Sequence, residues 1–273
     1  MKADKIGWTA QYTAAVWAGL GVPGTQRFVT RRGKFLKWWV DWGGGLLGLR
    51  GQYSVTNLFL APRYLGINTL LAQRQPKQVI ELAAGLSARG YEWARNNQGR
   101  YVEVDQPKVV AAKEKIVGGR SHLPQNFFLV SADLRQPNWV SKVLPNLDCA
   151  IPTLIICEGL TGYLNQEALS TLLSAIGDLA VCFDQTTIWL DLYLKLDRHT
   201  HGRVFGAMLP AQIVWQLGRA PMQMFLEDVN QVKQVLNANG FKTRYLWSSS
   251  ELAALAKYKA PPLDLFYLAE ITL

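Results

Sequence analysis

The sequence predicts an α/β protein, a Rossmann-like doubly wound sheet of seven strands behind a helical N-terminal cap. Three observations carry this expectation. Residues 78–106 read as a βαβ unit: the apolar run Val79-Ile80-Glu81-Leu82 stops at Ala83-Ala84-Gly85, helical spacing follows, and a second strand begins after Gly99. From there to the end of the chain, strand-like and helix-like segments alternate, as in a sheet with crossover helices. The first 75 residues show helical patterns instead, which divides the chain into a helical extension, 1–75, and an α/β unit, 76–273.

The elements follow in order. Residues 8–20 form a short helix closed by Gly21 and Pro23-Gly24. Residues 31–50 mix cations with Phe35, Trp38, Trp39 and Trp42. Such a segment lies on a membrane surface or packs over an active site as part of the cap. The Gly43-Gly44-Gly45 run reads as a hinge and favours the cap. A further helix spans Val55 to Leu71, ending before Pro76. Strands are expected at 78–83, 100–105, 126–132, 153–158, 186–193, 241–247 and 263–271. Helices are expected near 88–97, 107–117, 137–144, 165–179, 204–217, 227–238 and 249–257. Pro107 suits the first position of a helix, because its missing N–H would be unpaired there anyway. Asn239-Gly240 suits a helix end.

Composition bounds the function without choosing it. Hydrophobic residues make up 49% of the 273 and charged ones 18%, which describes an ordered globular chain. A net charge of +9 permits acidic substrates, nucleic acid or an anionic membrane surface. Nucleic acid is disfavoured, since basic and aromatic residues interleave only at 31–39. Cys149, Cys157 and Cys182 fit no metal or redox spacing, so no metal is expected, and reduced cytosol is the natural compartment. No apolar run reaches the ~18 residues needed to cross a bilayer.

Four acids fall at or just after successive strand ends, where an open α/β sheet binds its ligand: Glu81, Asp105, Asp133 and Glu158. Asp105 ends the second strand, where a carboxylate accepts both hydroxyls of a ribose. The turn has Gly85 and then Gly90, which is not the G-x-G-x-x-G spacing that a pyrophosphate requires. A nicotinamide oxidoreductase is therefore disfavoured. An acid followed by small-small-Gly suits a cofactor without phosphate and with a cationic amino-acid end, S-adenosylmethionine; a merely tight βα connection has the same look. Glu158 ends an otherwise apolar strand and is costly to bury without a partner.

Together these segments resemble the leucine carboxyl methyltransferase-like branch of S-adenosylmethionine-dependent O-methyltransferases, which includes bacterial enzymes of polyketide and other secondary metabolism. The likeness is carried by Val79–Gly85 with Leu86-Ser87, Glu103-Val104-Asp105-Gln106-Pro107 with Lys113, Ala132-Asp133-Leu134-Arg135, and Glu158-Gly159-Leu160 with Tyr163-Leu164. It implies a class I methyltransferase fold. It also implies that Gly85 lies against the methionine and ribose, Asp105 holds the ribose diol, and Asp133 and Leu134 frame the adenine. Glu158 would meet the methionine amino group or a neighbouring water, and Arg63 the methionine carboxylate, which an arginine can bind through two parallel hydrogen bonds. Two departures stand out: Ser87 where many members have Asp, and Tyr12-Thr13-Ala14-Ala15 where members carry a lysine.

The acceptor is specified less well. Asp197-Arg198-His199-Thr200-His201-Gly202-Arg203 reads as a basic loop beside the strand ends, or as a solvated surface turn. His199 or His201 would act as general base, Arg198 or Arg203 would hold an acidic acceptor, and Tyr163 would orient the acceptor oxygen. The expected reaction is methyl transfer to a hydroxyl or carboxyl oxygen of a small metabolite. Carboxyl methylation of a protein C-terminus and tRNA modification are the rivals.

Overall fold

A computed structural model describes residues 7–46, 54–136, 138–195, 222–223 and 226–273. Helices α1 (Trp8–Gly19), α2 (Arg31–Leu46) and α3 (Ala61–Arg74) precede the sheet. Then β1 (Gln78–Leu82), α4 (Arg89–Asn96), β2 (Arg100–Asp105), α5 (Pro107–Val117), β3 (Phe127–Ser131) and α6 (Trp139–Val143) follow. The chain continues through β4 (Thr153–Cys157), α7 (Gln166–Ala180) and β5 (Thr186–Tyr193), and closes with α8 (Val229–Ala238), β6 (Lys242–Ser248), α9 (Ser249–Leu255) and β7 (Phe266–Thr272).

The strands form one sheet in the order β3-β2-β1-β4-β5-β7-β6. The first five are parallel, and β7 inserts antiparallel between β5 and β6. Every residue of β1 and β4 is buried, as a sheet covered on both faces requires. One apolar core packs α1, α3, α4, α5 and α9 against one face; the other packs α6, α7 and α8 against the opposite face. The strand order reverses between β1 and β4, which opens a crevice at their C-terminal ends.

The expected fold class and all seven strands are present, each within three residues of its expected ends. Pro107 opens α5, and Gly240, at φ +85°, follows α8. Two expectations change. The helix expected from Val55 to Leu71 is present as α3, but its first turn, Thr56–Leu60, is of π type. Pro62 stands in the first turn of α3, where its missing N–H costs nothing. The glycine run 43–45 is not a hinge but the last part of α2. Leu36 and Val40 anchor that helix, and Gly33 brings it so close to α1 that a Cβ there would stand 2.3 Å from the Gln11 carbonyl oxygen. The expected helix at 204–217 lies outside the described residues.

Helix α1 is apolar nearly all round, and Tyr12, Ala14, Ala15, Val16 and Trp17 are all buried, because it lies between α2 and the rest of the protein. Among the described residues no helix is long and apolar enough to cross a membrane. Cys149, Cys157 and Cys182 are unpaired, and no described group of His, Cys, Asp or Glu is arranged to hold a metal.

Candidate active site

The turn after β1 is built from left-handed backbone. Ala83 has φ +56° and Gly85 φ +58°. Alanine rarely adopts this conformation, at a cost of roughly 1–2 kcal/mol, and such strain clusters where a backbone must face a ligand. The Ala83 N–H donates to the Val104 carbonyl at 2.8 Å, which carries the β1–β2 pairing one residue past the strand and brings the turn to the end of β2. There the Gly85 N–H donates to Asp105 Oδ2 at 2.6 Å and the Gln106 N–H to Oδ1 at 2.7 Å. The carboxylate at the end of β2 is thus clamped against the glycine turn. Burial raises its pKa, and the two N–H donors oppose the rise.

Beside the turn, at the β1–β4 crevice, lies a buried chain of charges. Arg89, in the first turn of α4, donates through Nη1 to Glu81 at 2.6 Å, through Nη2 to Glu158 at 2.5 Å, and through Nε to Asn68 Oδ1 at 2.6 Å. Arg63 on α3 donates through Nε to Glu158 at 2.9 Å and lies 3.2 Å from Asp191 through Nη1. The Tyr101 hydroxyl donates to the second oxygen of Glu81 at 2.6 Å. Burial alone would raise the Glu158 carboxyl, but Arg89 and Arg63 outweigh it and hold the group below its ordinary value. Burial wins at Asp191, which is pushed up to about 6 against the pull of Arg63.

Aromatic side chains adjoin these charges. Trp17 of α1 stacks on Tyr64 at 4.2 Å, and the Arg89 guanidinium lies 4.4 Å from the centre of the Tyr64 ring. The Tyr64 hydroxyl is 3.0 Å from Ser87 Oγ, which also accepts from the Arg89 N–H. Tyr193 packs near Phe59 and donates to Asp191 at 2.9 Å. Asp133 is gripped by its neighbour Arg135 through two bonds, of 2.9 and 2.7 Å, and this contact lowers its pKa.

The glycine turn, Asp105, Asp133, Arg63, Glu81, Glu158 and the aromatic side chains face one cavity of about 510 Å³, with Arg89 and Asp191 behind its wall. The eight described candidates from the sequence line it together: Arg63, Glu81, Gly85, Asp105, Asp133, Leu134, Glu158 and Tyr163. Helix α1 contributes Tyr12, Thr13 and Trp17 to the lining, whereas α2 contributes none. Among the described residues, the layer over the cavity is α1, and α2 packs on its far side. Burial pushes the Tyr163 phenol up to about 12, so it stays protonated at neutral pH. Glu103 and Lys113 pair with each other away from the cavity lining. His199, His201, Arg198 and Arg203 lie outside the described residues.

The sequence reading missed Arg89 and Asp191. A signal existed for Arg89: Glu158 needed a buried cation, and Arg89 follows the glycine turn at the start of a helix, close to Glu81. Asp191 had a weaker one, a lone acid inside the apolar strand β5.

Residues 63–177 match the leucine carboxyl methyltransferase family. A Mycolicibacterium gilvum protein, provisionally named an S-adenosyl-L-methionine-dependent methyltransferase, is 36% identical over 106 residues, 38% of this chain and 34% of the relative. One from Mycolicibacterium smegmatis with the same provisional name is 28% identical over 181 residues, 64% of this chain and 59% of the relative. The chain thus spans 34–59% of the length of these curated relatives. A crystal structure of a provisionally named methyltransferase from Thermobifida fusca shares the fold, with TM-score 0.60 and 13% identity over 96% of this chain and 93% of that one.

Proposed function

We propose that this chain, whose residues 63–177 fit the leucine carboxyl methyltransferase family, is an S-adenosylmethionine-dependent O-methyltransferase acting on a small metabolite. One observation carries the reading: Asp105 is clamped to the Gly85 N–H at the edge of a cavity of about 510 Å³ whose inner end is lined by paired charges. That volume lies within the usual range for a small-molecule site. The residues fit the cofactor chemically. Asp105 accepts the ribose hydroxyls, and the left-handed turn at Gly85 lets backbone approach without a side chain. Leu134 offers an apolar face to the adenine, and Asp133 an acceptor for its amine. Glu158, held ionised by two arginines, meets the cationic amino group. Arg63 turns toward the carboxylate the Nη2 that faces Gly159, where a Cβ would stand 3.0 Å away. Glu81 keeps Arg89 in place.

When bound, the cofactor supplies an electrophilic methyl group on a sulfonium. The protein's part is positioning, which accounts for most of what such a displacement needs. The aromatic wall of Trp17, Phe59, Tyr64 and Tyr193 excludes water and accepts an apolar acceptor. Tyr163, protonated at neutral pH, donates a hydrogen bond that aligns the acceptor oxygen. A hydroxyl acceptor also needs its proton removed as the methyl arrives, and His199 or His201 fills that role. Transfer of labelled methyl from S-adenosylmethionine to phenols and carboxylic acids tests the reading. Label that survives mild base is expected, as for a methyl ether. Label released by base marks an ester and a carboxyl acceptor instead, and no transfer to either class would overturn the proposal.

A further inference from the structure

Helix α2 carries an aromatic row on its outer surface. Phe35, Trp38 and Trp42 recur at three- and four-residue spacing, and they are 59%, 57% and 48% exposed. Their rings form a continuous strip, with Trp38 standing 6.0 Å from Phe35 and 6.1 Å from Trp42. Three large aromatics side by side in water are unusual for a protein surface. A helix closing over the cavity would turn them inward, yet its inner face is made of Gly33, Leu36 and Val40, which rest against α1 and the core.

The charges around the strip indicate what covers it. Arg31 and Lys34 are exposed on the same side of the helix as Phe35, one turn before Trp38. Over residues 31–46 the cations are Arg31, Arg32, Lys34 and Lys37 and the sole acid is Asp41, so 4 − 1 gives +3. Asp41 is itself paired with Lys37. The next residues in sequence, Leu46-Leu47-Gly48-Leu49-Arg50, extend the same mixture of apolar and basic character. Tryptophans flanked by lysine and arginine match a lipid headgroup region: the rings sit at the acyl boundary while the cations meet anionic phosphates.

We propose that the outer face of α2 docks on an anionic lipid surface, laid in the plane of the headgroups. The opposite side of α2 holds α1, and α1 lines the cavity. Docking therefore sets the cavity one helix away from the lipid.

Sedimentation of the full chain with vesicles tests this. One set contains equal parts phosphatidylcholine and phosphatidylserine, the other phosphatidylcholine alone. Binding is expected to the anionic set, with a blue shift of tryptophan emission, and to be weaker on the neutral set. Each basic residue near an anionic surface is worth about 1 kcal/mol, roughly fivefold. The double change Arg31→Gln and Lys34→Gln should therefore weaken binding by about twentyfold or more. The triple change Phe35→Ala, Trp38→Ala and Trp42→Ala should abolish it. Because all five side chains are exposed or nearly so, circular dichroism of both variants should match the parent. Failure of the parent chain to sediment, or unchanged binding of either variant, would overturn the proposal. So would a stable dimer in light scattering that the triple change dissolves while vesicle binding stays absent, since the face would then join two copies of this chain.

Discussion

Two regions of this protein use charge and aromatic residues to opposite ends. At the β1–β4 crevice, Arg63 and Arg89 are locked to Glu81, Glu158 and Asp191, nearly all out of water. On α2, Arg31 and Lys34 stand in water beside Phe35, Trp38 and Trp42. In the crevice each charge depends on its partner, because an unpaired buried ion costs several kcal/mol. Arg31 and Lys34 on α2, solvated by water, have no such need. What differs is not residue type but desolvation, and it separates residues that hold the fold together from residues available for contact.

The largest effect that sharpens this contrast is Arg89→Ala. It leaves Glu81 and Glu158 short of a cation in a buried site, and a loss of about 3–5 kcal/mol in urea unfolding is expected. A loss below ~1 kcal/mol would mean that water reaches these carboxylates and the crevice is not dry.

Next is Asp105→Ala. Its carboxylate caps a turn but carries no buried ion pair, so the fold should survive. Affinity for S-adenosylhomocysteine should fall by about 1.5–3 kcal/mol in calorimetry, the range for a hydrogen bond to a charged group. Normal binding by Asp105→Ala together with lost binding by Glu103→Ala would point to the wrong carboxylate on β2.

Asp191 gives the crevice a pH signature. Burial moves its pKa from 3.8 to about 6, so the folded protein keeps this proton longer than the unfolded chain does. The resulting stability is fully present below about pH 4 and is lost as pH rises through about 6, by about 3 kcal/mol. The melting temperature of Asp191→Asn should depend less steeply on pH over that window than that of the parent. Equal slopes would mean that Asp191 titrates normally and is not desolvated. The smallest effect is expected on α2: Trp38→Ala should change stability by no more than about 0.5 kcal/mol, as for a surface site. A clearly larger loss would show that the aromatic strip supports the fold.

The same contrast explains what the sequence made legible. Strand ends were readable because an acid inside or after an apolar run, as at Glu81, Asp105 and Glu158, has few structural uses. The βαβ unit was readable because apolar runs alternating with helical spacing and glycine turns leave few other folds. Arg89 was missed because its partners come from β1 and from the residue after β4, 8 and 69 positions away, and spacing alone does not join them. Which face of α2 turns inward was not legible, for a different reason. A helix with apolar residues on two faces has two candidates for its inner side, and only packing against α1 chose Leu36 and Val40 over Phe35 and Trp38. The glycine run was read as a break, yet helix interiors tolerate glycine at roughly 0.5–1 kcal/mol each when neighbouring turns are anchored.

The proposed function requires that the cavity between Gly85, Asp105 and the Arg63–Glu158 pair take an adenosyl cofactor with an amino-acid end and no phosphate. Isothermal titration of the full chain with S-adenosylhomocysteine and, separately, with NAD tests it most directly. Saturable binding of S-adenosylhomocysteine in the micromolar range, and none of NAD, is the predicted result. Binding of NAD with S-adenosylhomocysteine ignored would contradict the account.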